Sequence, residues 1–423
     1  MPGIARGDPV WSPNKKLDMP CLDELARLVR EEFASRFGSR PEVVAAAPGR
    51  INVIGEHTDY NGGLAMPGAI DRWVCAAIAR RDDSRIIARS QDFGSEFEFS
   101  PGRAPRESWQ RYLAGILSVF GERFALPGMN ILIKANLPVG KGLGSSAALE
   151  MSVLNALREL CSAEIDDLSL VILAQRVEHE HLGLSSGLLD QFASGFSRKG
   201  ELMVVDFASL ERRYLAGSSE DWCWILVDSG VKRELVASEY AGRAEECRRG
   251  LDAMIKAGLP VAHFRDITPE HLEAIPPGIP QSRLRHFVNE NQRVLAAEDC
   301  LCQGDFPGLG NLLVASHKSL REDYEVSCPE LDFLVEAAID HPGCAGSRMM
   351  GGGFGGCTVN LVRADGAEDF LETIPRVYAW RFGMDSTAYR VRLVDGAGSV
   401  NSAGPFWSEA HGAPLDPGPL LGL

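Results

Sequence analysis

Between Pro138 and Ala148 the chain runs Gly140-Lys141-Gly142-Leu143-Gly144-Ser145-Ser146. Three alternating glycines let a backbone approach a ligand closely and turn its N–H groups inward, and a helix starting at the serines adds its positive end. That is the chemistry of a phosphate cradle. It is not a Walker A loop, because Gly142 rather than Ser or Thr follows Lys141. Taken alone, a Gly-rich turn that merely joins strand to helix would read the same way. Upstream, Arg50-Ile51-Asn52-Val53-Ile54-Gly55-Glu56-His57-Thr58-Asp59-Tyr60 packs Arg, Glu, His and Asp beside turn-forming glycines. Such a cluster suits the hydrogen bonding of a polyol.

Other short patterns fail on context. Asp92-Phe93-Gly94 matches a kinase metal tripeptide but lacks the H-R-D and V-A-I-K partners, so it reads as a turn. Gly183-Leu184-Ser185-Ser186-Gly187 follows a helical pattern, whereas a nucleophile elbow needs a strand before it. Gly351, Gly353 and Gly356 precede the strand-like run Cys357–Val362 where a dinucleotide fingerprint needs a helix. His179 and His181, two apart, point to opposite sides of a helix and cannot chelate one ion.

The elements that must position these residues follow from periodicity. Leu22, Leu25, Val29, Phe33 and Phe37 predict a helix over 22–37, stopped by Gly38. A strand at 130–135, the Gly loop and a helix at 147–161 come in that order, followed by a helix over 170–181 and a strand at 201–207. The interval after Trp224 to Asp228 starts a long helical region holding Tyr240 and Arg243. The Pro-rich interval 257–280 reads as a linker or surface excursion between two domains, and 286–302 and 308–320 as helices. A length of 423 residues is ample for a large core. A net charge of −15 opposes nucleic acid or an anionic membrane as partner, so positive charge for an anionic ligand has to be local. Ten scattered cysteines without a C-x-x-C pair, no signal-like N-terminus and no long apolar run point to the cytoplasm.

Taken together, the Arg50 to Tyr60 signature, the Gly140 to Ser146 loop and Gly351 to Gly356 resemble the three motifs of the GHMP small-molecule kinases, and among them the galactokinases. Gly187-Leu188-Leu189-Asp190-Gln191, Ser238-Glu239-Tyr240 with Arg243, and Ser347-Arg348-Met349 extend the likeness from about Leu22 to Val394. The resemblance implies an α/β (α+β) two-domain GHMP fold with the active site between the lobes. Its divisions are an N-terminal extension at 1–21, an N-terminal domain at 22–210, a C-terminal domain at 211–395 and a flexible Gly/Pro-rich tail at 396–423. It implies transfer of the γ-phosphoryl of MgATP to the anomeric hydroxyl of galactose, with no statement on oligomeric state.

Carried over residue by residue, Asp190 is the base and Arg50 its partner against the phosphate. Glu56, His57, Thr58, Asp59, Gly187 and Tyr240 bind the sugar. The loop Gly140, Lys141, Gly142, Leu143, Gly144, Ser145 and Ser146 binds the nucleotide, and Ser146 and Glu178 hold Mg2+. Trp109 stands either near adenine or in the core. Three positions depart from the family: Gly144 replaces a serine, Leu189 a methionine and Met350 a threonine. Alternatives are a related 1-kinase for N-acetylgalactosamine or L-arabinose, and a non-catalytic sensor of sugar and ATP. Retention of Arg50, Ser146, Glu178 and Asp190 favours the enzyme.

Overall fold

The computed structural model describes residues 19–100, 104–231 and 236–400, with the side chains of 236–241 outside the description. The first half of the chain forms α1 (Leu22–Phe37), β1 (Val43–Asn52), β2 (Leu64–Ala65), β3 (Pro67–Arg80), β4 (Ile86–Ser90), β5 (Ser95–Phe99), α2 (Ser108–Gly121) and β6 (Met129–Ala135). Next come α3 (Ser145–Leu160), α4 (Asp167–Arg176), a wide π-helical turn at Val177–His181, α5 (Leu189–Phe196) and the hairpin of β7 (Glu201–Asp206) with β8 (Arg212–Ala216). The second half runs β9 (Trp222–Asp228), α6 (Val236–Lys256), α7 (Pro269–Glu273), α8 (Ile279–Gln303), α9 (Phe306–Glu322) and α10 (Pro329–Ile339). It ends with β10 (Cys344–Met349), β11 (Cys357–Arg363), α11 (Ala367–Phe382), β12 (Thr387–Val391) and β13 (Gly398–Ser399).

Six strands pair in the order β13-β1-β3-β6-β4-β5, and four more form the sheet β10-β11-β9-β12. In β1 and β3 almost every residue is buried, because helices cover both faces of this sheet. Val43, Ala45, Ala47, Val74, Ala76 and Ile78 turn into the main core with α3. Their neighbours Val44, Ala46, Cys75 and Ala77 pack on Leu25, Val29 and Phe33 of α1. The period of two survives, but with small apolar residues on both sides it carries no polar marker. Helix α3 buries Leu149, Met151, Val153, Leu154 and Leu157, apolar almost all round as befits a central helix. Between Pro48 and Arg50 the pairing of β1 with β3 shifts by a bulge, which re-aims the strand where it reaches the cleft.

Three readings change. The interval 257–280 is no linker between domains: it joins α6 to α8, and Val261, Ile267, Leu272 and Ile275 are buried in a core with Leu284 and Phe287. The tail does not start at 396, since β13 pairs with Ala45 and Ala46 of β1, and Val400 is buried with its N–H on Val44 O at 2.7 Å. Residues 401–423 and 1–18 lie outside the described residues. The β7–β8 hairpin crosses the expected division at 210/211. The C-terminal strand β13 also returns to the first sheet, so the first half is not contiguous in sequence. No described helix is long and apolar enough to cross a membrane.

A chain ending at Asp395 should therefore be less stable than one ending at Val400 by about 3 kcal/mol, from one buried valine and a few backbone hydrogen bonds. Urea unfolding of the two truncations checks this; equal midpoints would show that 396–400 adds nothing.

Candidate active site

A cleft of about 640 Å³ opens where the loops after β1, β6, α4 and β10 meet, and the described residues lining it come from the Arg50 to Tyr60 signature, the Gly140 to Ser146 loop, the Gly187 to Gln191 segment and the Gly351 to Gly356 run. Arg50, just past the bulge, is the joint. Its guanidinium donates to Asp190 Oδ1 from Nε at 2.9 Å and lies 2.8 Å from it through a second nitrogen. The same group donates to Gly142 O, and the Arg50 N–H bonds Leu143 O at 2.9 Å. Strand β1, the glycine loop and the first turn of α5 are thereby fixed to one another. Gly140, Gly142 and Gly144 all have positive φ, near 74°, 74° and 70°. A side chain at 144 would be strained there, and its Cβ would sit 3.2 Å from Arg50 and 3.3 Å from Asp190. The missing serine is thus replaced by a left-handed N-cap, while Ser145 and Ser146 open α3.

On the far side of Asp190 lies the 52–63 loop. Glu56 is buried and accepts from Arg348 at 2.9 Å and from the Gly351 N–H at 3.0 Å. Burial alone would raise its pKa, but Arg348, then Arg50 and His57, hold the carboxyl below its usual range. Arg348 also donates to the carbonyls of Val53 and Asn52. From the other flank, buried Glu290 accepts the Gly55 N–H at 2.9 Å and pairs with Arg293 at 2.6 Å. His57 adopts φ 60°, and its Nδ1 shares a hydrogen bond with the Tyr60 hydroxyl at 3.0 Å. Burial lowers its imidazole to about 3, so it is neutral. Asp59 accepts the Leu189 N–H at 3.2 Å, and a Cβ on Gly187 would come within 1.9 Å of its carboxylate, so only glycine fits there. Burial pushes Asp59 up to about 7, with the charges of Asp190 and Glu56 adding to it and the Leu189 N–H opposing.

At the phosphate end, the π-helical turn places Glu178 in the cleft, almost fully buried. It accepts from the Ser186 hydroxyl, with the side chains of Gln191 and Ser146 close by. Burial, and then the charge of Asp190, raises its pKa, and among the described residues no Lys or Arg forms an ion pair with it. A buried carboxylate beside a hydroxyl, with no cation paired to it among the described residues, is a donor set that fits Mg2+, which takes hard oxygen ligands and completes its shell with water and phosphate. Among the described residues no three of His, Cys, Asp and Glu gather as a closed metal cage.

Two expected contacts are not made. Trp109 is buried in the core, its indole N–H shared between Ser95 and Glu107 at 3.1 Å each, and it does not line the cleft. Thr58 is fully buried and spends its hydroxyl on the carbonyls of Gly55 and Leu64, so it braces the loop and offers no surface to a ligand. Tyr240 lies on α6 but its side chain is outside the described residues. Sequence reasoning passed over Ser186, which sits in the G-x-S-x-G run dismissed as a hydrolase elbow. It also passed over Tyr112, a cleft-lining residue, and over the brace Glu290, and it read Arg348 only as part of a family motif.

Because the folded chain holds a proton on Asp59 up to about 7 against an ordinary 3.8, it binds more protons than the unfolded chain between those values. Stability then falls as pH rises through that window. Asp59→Asn should be more stable than the parent by about 1–3 kcal/mol at pH 8 and indistinguishable from it at pH 3. Urea titrations at both pH values check this; a variant no more stable at pH 8 would show that the carboxylate carries no strain.

Comparison with known proteins places these motifs in a family. The galactokinase galactose-binding signature matches residues 31–80, the GHMP kinases N terminal domain residues 111–198, and the GHMP kinases C terminal domain residues 297–379. A galactokinase of Homo sapiens is 36% identical over 394 residues, covering 90% of this chain and 98% of its own. One from Thermotoga neapolitana is 38% identical over 355 residues, covering 84% and 99%. The crystal structure of Lactococcus lactis galactokinase complexed with galactose superposes with a TM-score of 0.84 at 32% identity, over 88% of this chain and 99% of that one. A mevalonate kinase at 17% identity and TM-score 0.61 shares the fold over 84% of this chain and 100% of its own.

Proposed function

The chain belongs to the galactokinase family of GHMP kinases, and from that membership and the cleft we propose that it transfers the γ-phosphoryl of ATP to O1 of D-galactose, giving galactose 1-phosphate and ADP. The observation that carries this reading is the Arg50–Asp190 pair at the meeting point of a glycine cradle and a carboxylate-lined sugar pocket.

The two ends of the cleft divide the work. Inward-turned N–H groups of residues 140–146 and the N-terminus of α3 take the phosphates. Glu56, Asp59 and the backbone at Gly187 face the sugar hydroxyls from the other end. Between them Asp190 accepts the proton of the anomeric hydroxyl, a poor nucleophile until that proton has somewhere to go. Arg50 holds the carboxylate in place and offsets the charge that builds on the moving phosphoryl group. Ser146 and Glu178 are the residues that would hold Mg2+, which when bound neutralises phosphate charge. We place the enzyme in the cytoplasm, since all ten cysteines are free thiols.

Two outcomes are expected. Asp190→Asn should keep its circular dichroism spectrum and lose on the order of 10²-fold or more in kcat, measured by coupled ADP release. Near-parental turnover in that folded variant would remove Asp190 from the chemistry. Among galactose, glucose, N-acetylgalactosamine and L-arabinose, galactose should give the largest kcat/KM. Asp59→Ala should narrow the gap to glucose, because a mismatched ring hydroxyl leaves a buried polar group unpaired at roughly 1–3 kcal/mol. A larger kcat/KM for one of the other sugars would overturn the substrate and leave the kinase chemistry standing.

A further inference from the structure

A cleft that receives a polyphosphate needs positive charge, yet its described lining carries Arg50 and Lys141 against the carboxylates of Glu56, Asp59, Glu178 and Asp190. Arg50 is committed to Asp190 and to the Gly142 carbonyl. Lys141 is placed differently. It rides the glycine loop between Gly140 and Gly142, and its ammonium pairs at 2.6 Å with Oδ2 of Asp228. Asp228 ends β9 on the opposite sheet, behind the lining, and its other oxygen accepts the Gly230 N–H at 2.9 Å. The carboxylate is the more buried partner, 13% exposed against 30% for Lys141. The aspartate is therefore anchored, and the lysine, on a four-carbon stem, is the partner able to move.

We propose that Asp228 is a resting counter-ion for Lys141 which the nucleotide displaces: Lys141 leaves Asp228 for the polyphosphate, so Asp228 sets nucleotide affinity by competing for the same ammonium. The proposal rests on the kinase reading above and extends it to a residue outside the cleft. Magnitudes favour the exchange. A partly exposed single ion pair contributes a factor of only about 1 to 5 in an equilibrium. A polyphosphate offers several negative charges and charge-assisted hydrogen bonds to the same group.

A static brace between the two sheets would make the two residues equivalent, because removing either partner breaks it. Competition makes them opposite. Isothermal titration of MgADP into the full chain at saturating galactose should show a Kd raised about 10-fold or more in Lys141→Met. The Kd should fall by up to about fivefold in Asp228→Asn, which keeps an acceptor for Gly230. In the double variant the Asp228 substitution should have no further effect. Weaker binding in both single variants, or no change in Asp228→Asn, would overturn the exchange while leaving the kinase reading intact. A parental protein that binds no MgADP at all would overturn both.

Discussion

The ion pair of Arg50 with Asp190 is the constraint on which the cleft depends, because it joins three segments that are distant in the chain. The bulge after Pro48 delivers the arginine, the first turn of α5 delivers the aspartate, and the Gly142 carbonyl delivers the phosphate loop to the same guanidinium. Its planar fork of donors suits this triple duty, which a lysine could not perform. Gly144 belongs to the same constraint, since its left-handed backbone keeps a side chain from crowding Arg50 and Asp190. The departure from the family's serine is therefore compatible with a well-formed helix start at Ser145.

Around that joint the buried carboxylates fall into two groups, and the difference is whether a cation reaches them. Glu56 and Glu290 are held ionised by Arg348 and Arg293, and they fix the 52–63 loop between the two halves of the molecule. Glu178, Asp59 and the deeper Glu150, raised by burial and then by the charge of Glu178, have no such partner among the described residues. Burying a charged carboxylate without a cation is costly, so these groups hold their protons more tightly than free carboxylates do. In the proposed reaction, magnesium at Glu178 and sugar hydroxyls at Asp59 would favour their charged forms. The same imbalance makes the placing of Lys141 matter.

Much of this was legible in the sequence, because glycines at fixed offsets and a dense polar signature encode backbone geometry directly. The strand, loop and helix around Gly140 to Ser146 came out in order, and so did α1, α8, α9 and β11. What was hidden had physical causes. In β1 and β3 small apolar residues face both ways, so no alternation marks a strand. Prolines at 257–280 suggested a linker, yet the leucine and isoleucines between them pack a local core. Trp109 and Thr58 match family positions, but their partners Ser95, Glu107 and Leu64 become neighbours only when the chain folds. Glycines at 396 and 398 read as flexibility, where their small size lets the chain pass close to Gly195 and pair with β1.

The most direct test of the account is the position of the transferred phosphate. Phosphorus and carbon NMR of the product from galactose and MgATP should show coupling of the phosphorus to the anomeric carbon and its proton, with ADP formed in equal amount. A phosphate bonded to any other ring oxygen or to O6, or ADP released with no sugar phosphate, would contradict the placing of the anomeric hydroxyl against Asp190.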